Sequence, residues 1–558
     1  MRDLYPNSDP RNLAERKSFL KQVDNSTWII GNSIWNVTQG RQYATKLWYR
    51  NKDLVGKAVG HYVSYNGAQS DLNWTSAAVV ESGPDFINVR FTAREGDFHW
   101  VVYDDLAGAY QYFVNRNLPV LGEFRTLWRL DNKTFPNGRT NERDGMLPRL
   151  SEYLAATNVQ DETWQKSDGT YLTKYDWSAF IKEVDFYGVY GDDVGSWYFH
   201  PGKDYINGNH LKQELMIHRE SKTGDAVQLN MIHGTHFQAV SSDAFPEGKT
   251  WGPWLWYLNG GSKEDAAGRA KQEERAWPYK WVTDASFQSR GSVRGKLTLS
   301  DGRPAAGAAV FLGDNAPNKT TLDQGRNYYY TTYAGNDGSF QIDNIRSGEY
   351  GLQAWSNGGS ISDVTTAVLK NNVVVGKDKR TDLDAIVWET SNVQKRIFQV
   401  GEFDRQTTGF NGSGGFQHGR IAKCPSNLTY TIGVSRVGDW CFGQSSLGTY
   451  SINFDLSSVP ENAARAVLKV SLAGFSGGSS ADILLNSKRI GNITTGSALL
   501  PTSQDTYRSA TRAGEWHLLE YPVAKEILKA GANQLGFRVT QSTLWRGWLW
   551  DSIVLEWT

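Results

Sequence analysis

Short runs of alternating apolar and polar residues, cut off every few positions by Gly, Asn or Asp, limit what this chain can fold into more than any other feature. Trp28-Ile-Ile30, His61-Tyr-Val-Ser-Tyr65 and Phe86-Ile-Asn-Val-Arg-Phe91 are examples. Alternation of period two sends successive side chains to opposite faces of a sheet, so the stretch from about Ser26 to Ala107 reads as strands of a large antiparallel sandwich. Tyr110-Gln-Tyr-Phe-Val114 and Gly122-Glu-Phe-Arg-Thr-Leu-Trp-Arg-Leu130 continue it. The 22 Trp, 26 Tyr and 23 Phe, beside 56 Gly and only 4 Met, suit an all-β chain with many turns. Most of these aromatics are expected in sandwich cores, which leaves the remainder to line a groove.

At 558 residues the chain exceeds the roughly 250–300 residues at which one core stops growing, so several domains are expected. One helix stands out between Ser262 and Trp277, with Ser262 as cap and Pro278 as stop, and it reads as a solvated surface element. The texture changes at Gly291-Ser-Val-Arg-Gly295. Short strands with Asp-Gly turns, such as Ala309-Val-Phe-Leu-Gly313 and Tyr350-Gly-Leu-Gln-Ala-Trp355, then predict a small immunoglobulin-like or fibronectin-like sandwich. A third region runs from Phe398-Gln-Val-Gly-Glu-Phe403 to Trp548-Leu-Trp-Asp-Ser-Ile-Val-Leu-Glu-Trp557 and reads as a jelly roll. The expected divisions are 1–288, 289–391 and 392–558.

The 59 basic and 59 acidic residues cancel, which argues against nucleic acid or an anionic membrane as the main partner. No segment has the run of about 20 apolar residues that a membrane-spanning helix needs. Met1 to Pro10 lacks the apolar stretch of a signal peptide, whereas Asn-x-Ser/Thr acceptors at Asn25, Asn36, Asn73, Asn132, Asn318, Asn411, Asn427 and Asn492 suit a secreted glycoprotein whose signal has been omitted. Cys424 and Cys441 are the only cysteines. They flank a strand-like segment and read as a disulfide, with two buried thiols as the alternative.

The stretch from Trp164 to Gly261 carries the densest chemistry. Lys174 sits among aromatics in Tyr171-Leu-Thr-Lys-Tyr-Asp-Trp177, where partial desolvation would lower its pKa and let it act as a base. Its bland alternative is a lysine on a solvated edge strand. His233 and His236 follow the alternating run Val227-Gln-Leu-Asn-Met231, which places His233 on the face of Val227, Leu229 and Met231, either as a core histidine or as a catalytic one. Gly234 between them suggests a bulge that re-aims side chains. Arg125 and Arg129 could hold a sugar carboxylate in a bidentate fork or pair with a neighbour such as Glu123. His200, His210 and His218 have no trusted metal-ligand spacing. The block Trp251-Gly-Pro-Trp-Leu-Trp-Tyr257 offers flat surfaces for sugar rings. There is no Gly-x-Ser-x-Gly elbow, His-Glu-x-x-His or phosphate-binding loop.

These segments resemble the polysaccharide lyase family 4 rhamnogalacturonan lyases, particularly the larger fungal form. The resemblance rests on Tyr62-Val-Ser-Tyr-Asn-Gly67, Leu121-Gly-Glu-Phe-Arg125, Tyr171-Leu-Thr-Lys-Tyr175, His210-Leu-Lys-Gln-Glu-Leu215, Met231-Ile-His-Gly-Thr-His-Phe237, Asp439-Trp-Cys-Phe442 and Trp545-Arg-Gly-Trp-Leu-Trp-Asp551. It implies a galactose-mutarotase-like catalytic sandwich, a fibronectin-like domain and a carbohydrate-binding jelly roll. It also implies endo-cleavage of the rhamnose–galacturonic acid bond of rhamnogalacturonan I by β-elimination, leaving a 4,5-unsaturated galacturonate.

On this reading Lys174 is the base at C5, His233 the acid at O4, with those labels exchangeable, and Arg125 clamps the carboxylate. His236 is the less favoured register for the histidine. Tyr171, Tyr175, Trp254 and Trp256 supply stacking surfaces. No cofactor is implied for catalysis, a structural calcium stays open, and a secreted monomer acting on the polysaccharide is expected. A non-catalytic pectin-binding protein and a glycoside hydrolase are the competing expectations.

Overall fold

A computed structural model describes residues 17–67, 71–234, 244–316, 326–390, 395–461, 463 and 465–558. They form two compact units. One takes residues up to 210, 214–289 and the described part of 316–330, and the other takes 211–213, 290–315 and 331–558.

The first unit is a sandwich of two nine-stranded sheets, counted among the described residues. In one sheet Ala44–Tyr49, Gly60–Tyr65, Glu123–Leu130, Ala226–Gly234 and Ile217–Arg219 lie side by side in that order. The other is centred on Gly195–Phe199, Thr250–Asn259, Gly108–Asn115 and Gly96–Tyr103. Both sheets alternate as the sequence does. On Glu123–Leu130, Phe124, Trp128 and Leu130 join the core between the sheets, while Leu127 joins a smaller cluster on the other face. The core is built from large aromatics, including Trp28, Trp35, Trp100, Trp128, Trp254 and Trp256, all at most 2% exposed. Trp128 stacks on Trp256 at 4.9 Å. Burying a side chain of this size removes 150–250 Å² from water, so these rings dominate the sandwich's stability.

The Lys263–Ala276 helix is capped by Ser262, whose hydroxyl accepts from the Asp265 N–H at 3.1 Å. It is not a wholly solvated element: Ala266 and Ala270 pack with Tyr110, Trp197 and Leu255 on the outer face of the second sheet. The enclosed Arg269–Glu273 pair, 2.7 Å apart, is tied in by Tyr110, whose hydroxyl donates to Glu273 at 3.1 Å. Small alanines let the helix approach the sheet closely, which its charged composition concealed.

Residues 326–330 group with the first unit although they lie inside the expected second region. The Tyr329 N–H donates to the Asp204 carbonyl at 2.7 Å, and the Thr250 N–H donates to the Tyr328 hydroxyl at 3.3 Å.

Among the described residues of the second unit two four-stranded sheets, holding Arg290–Leu299 and Gly348–Trp355, make the small sandwich, and two five-stranded sheets, holding Trp548–Trp557 and Gly448–Leu456, make the last region. The Arg405 guanidinium lies 4.3 Å from the Trp355 ring and 3.8 Å from the Trp516 ring. Cys424 and Cys441 form a disulfide with Cα atoms 5.8 Å apart. The architecture is all-β and multidomain.

Several histidines are sealed in the first sandwich. His61 lies among Phe98, Trp100 and Trp128, and burial pushes its pKa down to about 3. Burial likewise lowers His200 to about 3 and His99 to about 4. The unfolded chain protonates these groups near pH 6.5 and the folded chain does not, so the unfolded state binds more protons below that value. Each such group costs about 1.4 kcal/mol of stability per pH unit of acidification in that window. Melting temperature should therefore fall steeply between about pH 6.5 and pH 4.5, and a flat profile over this range would contradict the burial of neutral histidines.

Candidate active site

The outer face of the first sheet, away from the core, carries the candidate residues. Register fixes who shares it. Arg125 pairs with Ser64 on one side and Met231 on the other, and Arg129 lines up with Val227, which pairs in turn with His218. Opposed residues in an antiparallel ladder point to the same face. Arg125, Arg129, Ser64, Met231, Val227 and His218 therefore share one surface.

Arg125 is 9% exposed, donates from Nε to Ser64 Oγ at 3.1 Å, and lies 3.2 Å from the Glu123 carboxylate. Arg129 donates to the Tyr62 hydroxyl at 3.2 Å and to Glu220 at 2.9 Å, with Asp225 at 3.7 Å. Those bonds make it an anchor of the face.

Lys174 opens a short 3₁₀ turn, Lys174–Trp177, capped by Thr173, whose hydroxyl accepts from the Tyr175 N–H. Tyr175 fastens this turn to the outer face. It is 1% exposed, shares a cluster with Tyr62, Leu127, Leu215, Val227, Leu229 and Met231, and donates its hydroxyl to Asp161 at 2.6 Å. Lys174 itself is half-buried, its Nζ 5.2 Å from the Tyr175 ring centroid. The aromatic setting read from the sequence is therefore real. A buried tyrosine lies under the lysine.

The expected stacking surfaces divide. Tyr171 is half-buried, with Gln165 donating to its hydroxyl at 3.2 Å, and keeps a surface position. Tyr175 is enclosed and cannot present a ring. Trp254 and Trp256 are fully buried between the sheets, their indole N–H groups donating to Gln111 at 2.9 Å and Ser196 at 3.0 Å. Residues two apart on a strand share a face, and both rings join the core between the sheets, so the expectation that they stack on sugar is corrected.

The face expected of His233 is also corrected. The ladder matches Arg125 with Met231 but Phe124 with His233, leaving Ile232 as an extra residue. That bulge moves His233 to the side of Phe124, where its ring packs edge-on against Phe245 at 4.9 Å, next to Trp251. It is 1% exposed and belongs with the interior. Gly234 follows with φ +70°, and a Cβ there would lie 1.8 Å from the Gly122 carbonyl oxygen. His236 lies outside the described residues.

Two residues of this face were not found as site residues in the sequence. His218 is 6% exposed, and its Nδ1 has no hydrogen-bond partner among the described residues. Burial, and then the charges of Lys174, Arg129, Arg219 and Arg125, hold its pKa well below the ordinary histidine range. Its position in Ile217-His-Arg219 was a usable signal, since alternation puts it opposite its apolar neighbour.

Asp71 bridges to Ser64 and so joins the row of Arg125. Its Oδ2 accepts the Tyr43 hydroxyl at 2.6 Å. Burial raises its pKa, opposed by the Tyr43 hydrogen bond and by Arg125 and Arg129. Among the described residues no group of three or more His, Cys, Asp or Glu side chains converges as a metal-ligand set.

Comparison with known proteins gives this arrangement a context. Residues 300–383 match the family model for polysaccharide lyase family 4, domain II, and residues 396–555 match that for domain III. The chain is 28% identical to a rhamnogalacturonate lyase of Dickeya dadantii over 96% of its own length and 94% of that protein's. It is 24% identical to a probable rhamnogalacturonate lyase B of Aspergillus niger over 76% of its length and 66% of that protein's. A bacterial relative thus matches more of the chain than this fungal one, and the fungal detail of the resemblance is not carried further.

Gly234→Ala tests the bulge. The added methyl must force apart the pairing of Gly234 with Glu123, so a loss of about 2 kcal/mol or more is expected by denaturant titration. Unchanged stability would contradict the geometry.

Proposed function

We propose that this chain is a rhamnogalacturonan endolyase, cleaving the α-1,4 bond between L-rhamnose and D-galacturonic acid in the backbone of rhamnogalacturonan I by β-elimination. The observation that carries this reading is the docking of Lys174, through Tyr175, onto the sheet face that holds Arg125. The relatives named rhamnogalacturonate lyases and the two family 4 domains support it.

The chemistry follows from the charges. Removing the C5 proton of a uronate places negative charge next to a carboxylate, which opposes the step unless a cation offsets it. Arg125, with a planar fork suited to carboxylate, supplies that offset. Lys174, unprotonated, takes the C5 proton; the electron pair forms the C4–C5 double bond as the C4–O4 bond breaks, and an acid delivers a proton to O4. We keep the acid on His233, with His236 of the same motif as the less favoured register, and the base and acid labels of Lys174 and His233 are exchangeable.

The reading extends to a three-domain division at 1–288, 289–391 and 392–558, to a secreted monomer, and to catalysis without a cofactor.

The test is incubation with de-esterified rhamnogalacturonan I while following ultraviolet absorbance and reducing ends. Only elimination creates a conjugated unsaturated uronate. New reducing ends without absorbance would make the chain a hydrolase, and neither signal would make it a binding protein. Lys174→Ala should lower kcat by roughly 10²–10⁴-fold, and full activity would remove it from the mechanism. His233→Ala should behave similarly, and a His233→Ala variant that stays active while His236→Ala does not would move the role to His236.

A further inference from the structure

Asp71 stands out among the groups the proposed mechanism leaves unused. It is a half-buried carboxylate placed beside a site for an anionic polymer, where a negative charge opposes binding. Its position is specified from two directions. Backbone bridging to Ser64 puts it in the row Asp71–Ser64–Arg125, so its backbone lies two strand spacings, about 10 Å, from that of Arg125. Tyr43 holds Oδ2 at 2.6 Å and packs edge-on against Tyr62 at 5.4 Å, and Tyr62 in turn receives the Arg129 hydrogen bond. The other oxygen, Oδ1, is enclosed and has no hydrogen-bond partner among the described residues. Ser64, between the two charged side chains, is completely buried.

We propose that Asp71 is a specificity-determining residue, which selects a polymer whose acidic sugar is flanked by a neutral one. This inference rests on the lyase reading of the site. A uronate carboxylate on Arg125 leaves the neighbouring sugar over Asp71. A neutral sugar brings no like charge to this carboxylate. A second uronate brings a like charge into a partly desolvated site and is rejected. Discrimination of this kind works by repelling the wrong ligand as well as by holding the right one. Arg125 alone would accept a chain of consecutive uronates as readily as an alternating chain, and Asp71 supplies the difference.

The experiment measures inhibition of rhamnogalacturonan cleavage by oligogalacturonides, in which every sugar is a uronate. In Asp71→Asn, which keeps the shape and removes the charge, half-inhibition should occur at roughly tenfold lower oligogalacturonide concentration, while kcat/KM for rhamnogalacturonan changes much less. Tyr43→Phe, which keeps the charge but frees the carboxylate, should move inhibition in the same direction by less. Melting temperatures of both variants separate these effects from loss of fold. If Asp71→Asn does not fold, Asp71→Ser carries the same test. Unchanged inhibition in a folded, active variant would overturn the assignment of Asp71 while leaving the lyase reading intact. A wild-type protein that makes no unsaturated uronate would overturn the lyase reading instead.

Discussion

The antiparallel register of Glu123–Leu130 against its two neighbours is the constraint on which the outer face depends. It sets Arg125 opposite Ser64 and Met231, and through Ser64 it reaches Asp71. Because side chains alternate with period two, a slip of one residue would turn Arg125 into the core and bring Phe124 or Thr126 outward. The core resists such a slip, since Phe124, Trp128 and Leu130 are all fully buried and Trp128 is locked against Trp256. Hydrophobic packing on one side of the sheet thus places charge on the other.

Lys174 reaches the same face by a different route. It lies on a turn, not on a strand of the sheet, and its place depends on Tyr175 entering the cluster around Leu127 and Leu229. Position and electrostatics are therefore linked, because the ring that docks the turn is also the one beneath the ammonium group. The His218 imidazole, sealed and neutral beside the same cations, adds no further positive charge to the face.

Much of this was legible in the sequence. Period-two runs gave the strands of the first sandwich, since alternation is a local property that survives folding. Arg125 was legible because it sits on such a run. The aromatic block at Trp251 to Tyr257 misled, because a tryptophan's sequence looks the same whether its ring faces a groove or a core; only the central position of Thr250–Asn259 in its sheet decides. His233 was misplaced because one extra residue at Ile232 reverses the alternation, and Gly234 hinted at a bulge without locating it. Asp71 left no trace, because its bond to Tyr43 and its place in the row of Arg125 arise only when distant strands pair.

The central claim is that Lys174 and Arg125 act on one and the same uronate. A double-mutant cycle on unsaturated-uronate formation tests it most directly, comparing Lys174→Gln, Arg125→Gln and the double variant. Groups that act as a unit are strongly non-additive, so the double variant should be scarcely slower than the slower single one. Losses that multiply would show the two residues acting independently and would contradict the account.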